Sequence, residues 1–368
     1  MKLSNSLINF AGEQNIGVYK MFSDYWNHYL STQGNTKVEY QKVKEDGTSI
    51  SFAEKEDLMN AALKKEIARV AGVNFADFPM EAYATNPQVS WASFAVINML
   101  VDMVIPDTII ESIGAYADVK NGAMGDNFAF DIEPRDLFVV SKAGHGQRST
   151  EVHRQFRGQV TVTPEAHELT VGVSLYGMLS GKESLANLVS KASRSIETRM
   201  TVDVYSAFAT AMAAVSNTAT TGLRVAGYSQ ASLLRICQQV TAWNNNKAMI
   251  MGTPLALLNV LPDDANYRYA LESDYVRMGY IRQFSGYDIV VMPQVADIST
   301  PFGMALSDSY IWVVSPSAQK LIKLCIEGNT IANTTGTFAN ANLTQQTVLT
   351  KYWGVGVATN SVAGVITL

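Results

Sequence analysis

The feature that most constrains the fold is a run of some thirty residues, 182–214. In it Leu185, Leu188, Val189, Ala192, Ile196, Met200, Val204, Phe208 and Met212 recur at three- and four-residue spacing. Apolar residues at that period line one face of an α-helix. At 1.5 Å per residue such a helix is a rod on the order of 50 Å long. That is long for an element of a compact domain, and the run lacks the sustained heptad of a coiled coil.

Immediately before it, residues 127–174 read as a long hairpin. An outgoing strand carries apolar Phe128, Phe130 and Ile132, the tip is the polar stretch AGHGQRST (143–150), and the return alternates Val160 and Val162 with polar neighbours. Alternation with period two marks a strand with two different faces. The flanks of the return strand carry Arg148, Glu151, His153, Arg154 and Arg157. A two-stranded hairpin is marginal in water by itself, so a polar ribbon of this length is expected to rest on a neighbour.

Residues 1–60 hold no single period: aromatic at Tyr19, Phe22, Tyr25, Trp26 and Tyr29, then polar from 32 to 46. They read as an extended arm with short helices that packs against something other than its own domain. Helices are expected over 54–73 and over 91–105, the second ending before Pro106 because proline disfavours helix at the preceding residue. The small-residue stretch 216–227 reads as a domain boundary. Beyond it, Ser229 is a candidate N-cap for a helix reaching Trp243, and 248–251 is a short strand. Thr253 and Pro254 then start a helix to Leu261. Strands are expected over 287–292, 310–314, 321–326 and 362–368. Helices and strands in this alternation imply a sheet domain of α+β or α/β type.

With 368 residues and 47% hydrophobic side chains, the chain has material for one large or two modest domains. A formal net charge of −5 argues against a dedicated nucleic-acid binder, since neutralising phosphates takes clustered Lys and Arg. Cys237 and Cys325 stand apart from any ligand spacing and read as buried small hydrophobes of a reducing compartment. The apolar run 91–106 is broken by Ser93, Asn98 and Asp102 and falls short of a membrane span. The early residues lack a secretory signal, so synthesis and assembly in the cytosol are expected.

Catalytic signatures are missing. The sequence has no HExxH, GxSxG or phosphate-binding loop, and the GVG at 354–356 lacks a third glycine and a following helix. His145, His153 and His167 are spaced 8 and 14 residues apart, which suits polar contacts better than fixed metal coordination. Asp263 and Asp264 read as turn residues. No enzyme activity, cofactor or metal is expected.

The order of parts resembles the major capsid proteins of tailed double-stranded DNA bacteriophages, the Hong Kong 97 fold. The resemblance covers about residues 80 to 368. It is carried by FRGQVTVTP (156–164) running into LTVGVS (169–174) and by the helix from LANLV (185–189) onward. Downstream it rests on KAMIMGTP (247–254), FSGYDIVVMP (284–293), SYIWVV (309–314) and GVGV (354–357). It implies an α+β fold with an N-terminal arm at 1–80, the first part of a P-domain at 81–126 and a β-hairpin E-loop at 127–168. The P-domain with its spine helix would follow at 169–215, an A-domain with a central mixed sheet flanked by helices at 216–350, and a returning C-terminal strand at 351–368.

The implied function is self-assembly, through hexamers and pentamers, into an icosahedral head around the phage genome, in the virion and after assembly in the host cytoplasm. E-loop contacts between subunits are expected at Arg148, Glu151, His153, Arg154, Phe156 and Arg157, with Glu165 and Glu168 as acidic complements. N-arm contacts are expected at Tyr19, Phe22, Tyr25 and Trp26. Expected partners are the chain itself, a separate scaffolding protein, a portal, a possible decoration protein, and packaged DNA held without sequence reading. No membrane is involved. Some relatives join a Lys to an Asn between subunits; Lys142 and Asn360 could be such a pair, but no activating carboxylate is assignable and two unrelated surface residues are the simpler reading. The alternative is an encapsulin, a nanocompartment of the same fold that encloses enzymes, against which the long N-terminal segment speaks. A tail or decoration protein would not need both the spine helix and the A-domain.

Overall fold

The structure, a computed structural model, describes residues 16–33, 39–43, 47–74, 86–112, 117–132, 158–174, 184–215, 222–262, 279–297, 299–315, 320–334, 344–357 and 362–368. The first half contributes helices α1 (Ile16–Thr32), α2 (Phe52–Ala71) and α3 (Pro87–Ser112), then strands β1 (Ala117–Gly122), β2 (Ala129–Ile132), β3 (Gly158–Thr161) and β4 (Glu165–Ser174). After α4 (Leu185–Ala213) come β5 (Arg224–Ala226), α5 (Gln230–Asn244), β6 (Met249–Gly252) and α6 (Pro254–Leu257). Strands β7 (Gln283–Phe284), β8 (Tyr287–Val291), β9 (Ala296–Asp297), β10 (Gly303–Met304), β11 (Tyr310–Val314), β12 (Ile322–Thr334), β13 (Thr344–Val357) and β14 (Gly364–Thr367) complete the order.

Local chemistry explains where the helices begin and end. Ser51 Oγ accepts from the Glu54 amide while the Glu54 carboxylate accepts from the Ser51 amide, a reciprocal box that opens α2; Gly72, at φ 68°, closes it. Ser184, Ser229 and Thr253 cap α4, α5 and α6, each side-chain oxygen accepting from the amide three residues on, without the reciprocal bond. The capped start at Ser184 makes α4 29 residues long, about 43 Å. The expected stop before Pro106 is not observed, and α3 runs on to Ser112. Its central residues Val96, Leu100, Val101 and Val104 are buried in the main core, and that packing outweighs the one backbone hydrogen bond proline removes. No described helix is long and apolar enough to cross a membrane.

The strands form two principal sheets. The first has the order β1-β12-β13-β4, with β1 parallel to β12 and the other pairs antiparallel. The second is mixed, β5-β14-β11-β6-β8-β7. In β11, Ile311 and Val313 face a core with Leu233, Ile236 and Val240 of α5, while Trp312 and Val314 face the core that includes α4. The second sheet is therefore buried on both faces at its centre. Phe208 of α4 meets Trp312 edge to face at 5.3 Å between ring centroids. α4 also packs on α2, α3 and the first sheet, so one helix serves both layers.

Two strands lie elsewhere than their sequence positions imply. The strand expected over 321–326 is the start of a longer β12, and it pairs in the first sheet together with β13. The last strand crosses to the second sheet and inserts between β5 and β11. The block expected as 216–350 is thus divided between two sheets, and the stretch 351–368 likewise. A strand's local alternation says which residues face inward but nothing about which sheet it joins.

The first sheet is pinned to α3 by a buried ionic network. Asp102 accepts from the Thr330 amide at 2.9 Å, from Thr330 Oγ1 at 2.5 Å and from Lys351 Nζ at 2.9 Å, and Lys351 also donates to the Gly328 carbonyl. Lys351 is 3% exposed, and the register of β12 with β13 is irregular between Glu327 and Ile331, where Gly328 takes φ 59°. Removing one member of a buried pair leaves an unpaired charge, which costs about 3–5 kcal/mol. Asp102→Ala is expected to lower unfolding free energy by that amount in a denaturant titration, and Asp102→Ala with Lys351→Met to recover a large part of it.

Candidate assembly interface

The six expected ribbon contacts, Arg148, Glu151, His153, Arg154, Phe156 and Arg157, lie outside the described residues, as do Lys142, His145, Asp263, Asp264 and Asn360. The structure describes the root from which the ribbon departs. β2 and β3 pair antiparallel from Ala129↔Thr161 to Ile132↔Gly158. Phe128, Phe130 and Val162 close over Cys325 of the first sheet. Phe130 carries Lys120 Nζ at 4.5 Å from its ring centroid and Lys323 Nζ at 5.6 Å, while Lys120 donates to the Ala129 carbonyl at 2.7 Å.

The GVG element of β13 owes its glycines to this root. A Cβ on Gly354 would collide with the Thr163 carbonyl, and one on Gly356 would come within 2.6 Å of Val162. Without side chains there, the root lies flat on the sheet and seals Cys325, whose thiol contacts the Gly354 carbonyl at 3.5 Å. Burial pushes the Cys325 thiol up, and the buried Cys237 thiol up to about 12. Gly354→Ala is expected to cost about 1–3 kcal/mol through overpacking. It should also speed modification of Cys325 by a thiol reagent while Cys237 stays slow.

Where the root passes into β4, a polar cluster ties that strand to α4. His167 stacks on Trp353 with centroids 3.6 Å apart and planes 9° apart. Trp353 Nε1 donates to Asp203 Oδ2 at 3.1 Å, and Arg199 Nε pairs with Asp203 Oδ1 at 3.1 Å. His167 Nδ1 lies 3.1 Å from the Glu165 carbonyl; a carbonyl only accepts, so this nitrogen carries the hydrogen. His167, expected as a ribbon residue, is thus a fixed part of the root. Glu165 and Glu168 are exposed along the same strand. Clefts of about 590 and 550 Å³ share His167, Arg199 and Trp353 as a partition: one extends past Thr163, Ala211 and Val357, the other past Leu169, Ile196 and Leu349.

The expected N-terminal contacts require correction. Tyr19, Phe22, Tyr25 and Trp26 are each at most 1% exposed and belong to the chain's own main core, with α1 packed on α2. Tyr19 Oη donates to the buried Glu66 carboxylate, which Arg69 also pairs. The aromatic spacing that reads as an adhesive arm is the inward face of an ordinary amphipathic helix. What period reading lacked was its complement, because the receiving helices lie 30 to 180 residues away.

His28 sits at the margin of that core, stacked on Tyr40 at 4.2 Å and edge-on to Phe52 at 5.3 Å. Its Nδ1 is buried without a hydrogen-bond partner among the described residues. Burial holds its pKa below 6.5, Lys55 adds to this, and Asp24, paired with Lys55 at 2.5 Å, opposes it. The folded state therefore binds this proton less readily than the unfolded chain. The stability it contributes is present above 6.5 and is lost as pH falls through that value towards the lowered one. A thermal midpoint that falls on acidification, and falls less in His28→Phe, is the expected result.

The model of the family described as "SPbeta prophage-derived putative capsid protein YonB" matches residues 30–367. The chain belongs to this family. The YonB match takes in both principal sheets, α4 and the ribbon root. No curated protein sequence matches significantly. Among solved structures, the capsid of cyanophage P-SCSP1u is similar at 11% identity and a TM-score of 0.45, over 68% of this chain and 86% of that one. The capsid of a native GTA particle is similar at 12% identity and 0.45, over 70% and 89%. A virus-like particle from Pyrococcus furiosus is similar at 9% identity and 0.40, over 72% and 97%.

Sequence reading missed the Asp102 network and the role of Trp353. Asp102 was legible only as a break in an apolar run. Its signal was the carboxylate itself, since a charge inside such a run is retained only when a partner meets it.

Proposed function

We propose that this chain is the major capsid protein of a tailed double-stranded DNA bacteriophage and assembles into an icosahedral head through pentamers and hexamers. The observation that carries this reading is membership of a capsid-protein family over residues 30–367. The structure contributes a physical reason. Between the paired ends of β2 and β3 the sequence runs 25 residues, 133–157, and half that length of extended chain spans at most about 40 Å. In this reading Arg148, Glu151, His153, Arg154, Phe156 and Arg157 contact a neighbouring subunit. Each exposed pair is worth about 0–1 kcal/mol, so stability comes from repetition over the shell and errors anneal during growth.

The role is structural rather than catalytic and calls for no cofactor. A net charge of −5 suits a wall along which packaged DNA slides without being bound. A scaffolding protein, a portal and a decoration protein are the partners such a shell would take, in the virion and, before that, in the host cytoplasm.

The test is expression in bacteria, alone and with the genes beside it, followed by electron microscopy. Closed icosahedral particles are expected, and particles from infected cells should hold nuclease-protected DNA of genome length. Particles filled with one host enzyme would instead identify a nanocompartment. A folded chain that never assembles would overturn the shell reading.

A further inference from the structure

β9 and β10 form a short hairpin, with Asp297 paired to Gly303 and Ala296 to Met304. Its turn, Thr300-Pro301-Phe302-Gly303, is closed by the Gly303 amide donating to the Thr300 carbonyl at 2.9 Å. Proline at the second position and φ 58° at the third make this a type II arrangement, whose third position is suited to glycine or asparagine. Phenylalanine stands there instead, in a backbone region its Cβ disfavours. Its side chain has no cover: Phe302 is 104% exposed and Met304 64%.

The hairpin beneath is stiff. The Asp297 carboxylate accepts from the Ser299 amide at 3.0 Å, from Ser299 Oγ at 2.5 Å and from Thr300 Oγ1 at 3.2 Å. Gln294 donates to the Leu306 carbonyl at 2.8 Å and to Asp308 at 3.1 Å, and accepts from the Leu306 amide. Folding of this chain by itself would favour glycine at the tip, so the aromatic ring answers to something outside the chain. Backbone strain of this kind collects where a surface is used.

The hairpin base adjoins a receptor of suitable character. Ser299 lines the 550 Å³ cleft together with apolar Leu169, Ile196, Leu349 and Trp353 and with His167, Glu168 and Arg199. We infer that Phe302, supported by Met304, is an intermolecular knob that seats in this cleft on a second copy of the chain. The inference rests on the shell reading, in which every lateral neighbour is another copy. Within one chain the ring stands in solvent. Because knob and cleft adjoin on one surface, a rotation axis beside the hairpin brings each tip over a neighbour's cleft. A pre-ordered aromatic anchor entering an apolar pocket is the usual content of an interface hot spot.

A photoactivatable benzoylphenylalanine placed at 302 tests this in assembled particles. Irradiation is expected to give a covalent dimer on a denaturing gel, joined to peptides within 166–169, 195–199 or 349–353. Dimers joined elsewhere, cross-links within one chain only, or no cross-link would overturn the inference. In parallel, Phe302→Gly should leave the melting temperature of the soluble chain unchanged or higher while lowering particle yield about tenfold or more; Phe302→Leu should keep most of the yield. Wild-type particles together with undiminished Phe302→Gly particles would sink this inference and leave the shell reading intact. A wild-type chain that forms no particles would overturn both.

Discussion

Everything in this fold is arranged along α4. The helix packs on α2, α3 and the first sheet, and it also presents Phe208 to Trp312 of the second. A 29-residue helix must bury a continuous stripe, and α4 does so against α2, α3 and both sheets. The two sheets meet the helix along the same stretch, Trp353 of the first at Asp203 and Trp312 of the second at Phe208. The second sheet also gains a cover on the face that α5 and α6 leave open.

The cluster at His167, Asp203, Arg199 and Trp353 follows from the same arrangement. It lies where the ribbon's return strand first meets α4, and it converts a strand that would otherwise be a free edge into one tied to the rod by stacking and charge. Glycines at 354 and 356 act on the other side of the same strand pair by letting the root lie close. The direction in which the chain leaves β2 and enters β3 is therefore fixed by residues well inside the subunit. Changes there are felt at a distance because packed interiors transmit displacement rather than absorb it.

Much of this was legible from spacing alone. The stripe of α4, the caps at Ser229 and Thr253, and the strand 310–314 appear where period and capping chemistry put them. These are properties of neighbours in sequence. The destination of β12, the inward docking of Tyr19, Phe22, Tyr25 and Trp26, and the meeting of Asp102 with Lys351 depend on partners far along the chain. Local pattern has no access to them. Phe302 illustrates a third kind of miss: Thr-Pro-Phe-Gly reads as an ordinary turn, and only the backbone angle and bare ring show that the aromatic is out of place.

The path of the chain after α4 carries a mechanical consequence. It builds most of the second sheet, returns to lay β12 and β13 in the first, and then crosses back so that β14 sits between β5 and β11. The two sheets are laced rather than merely apposed. A tensile load that draws them apart is carried by rows of backbone hydrogen bonds in β12, β13 and β14 acting together, as a stitched seam carries load, instead of by bonds opening singly from one edge.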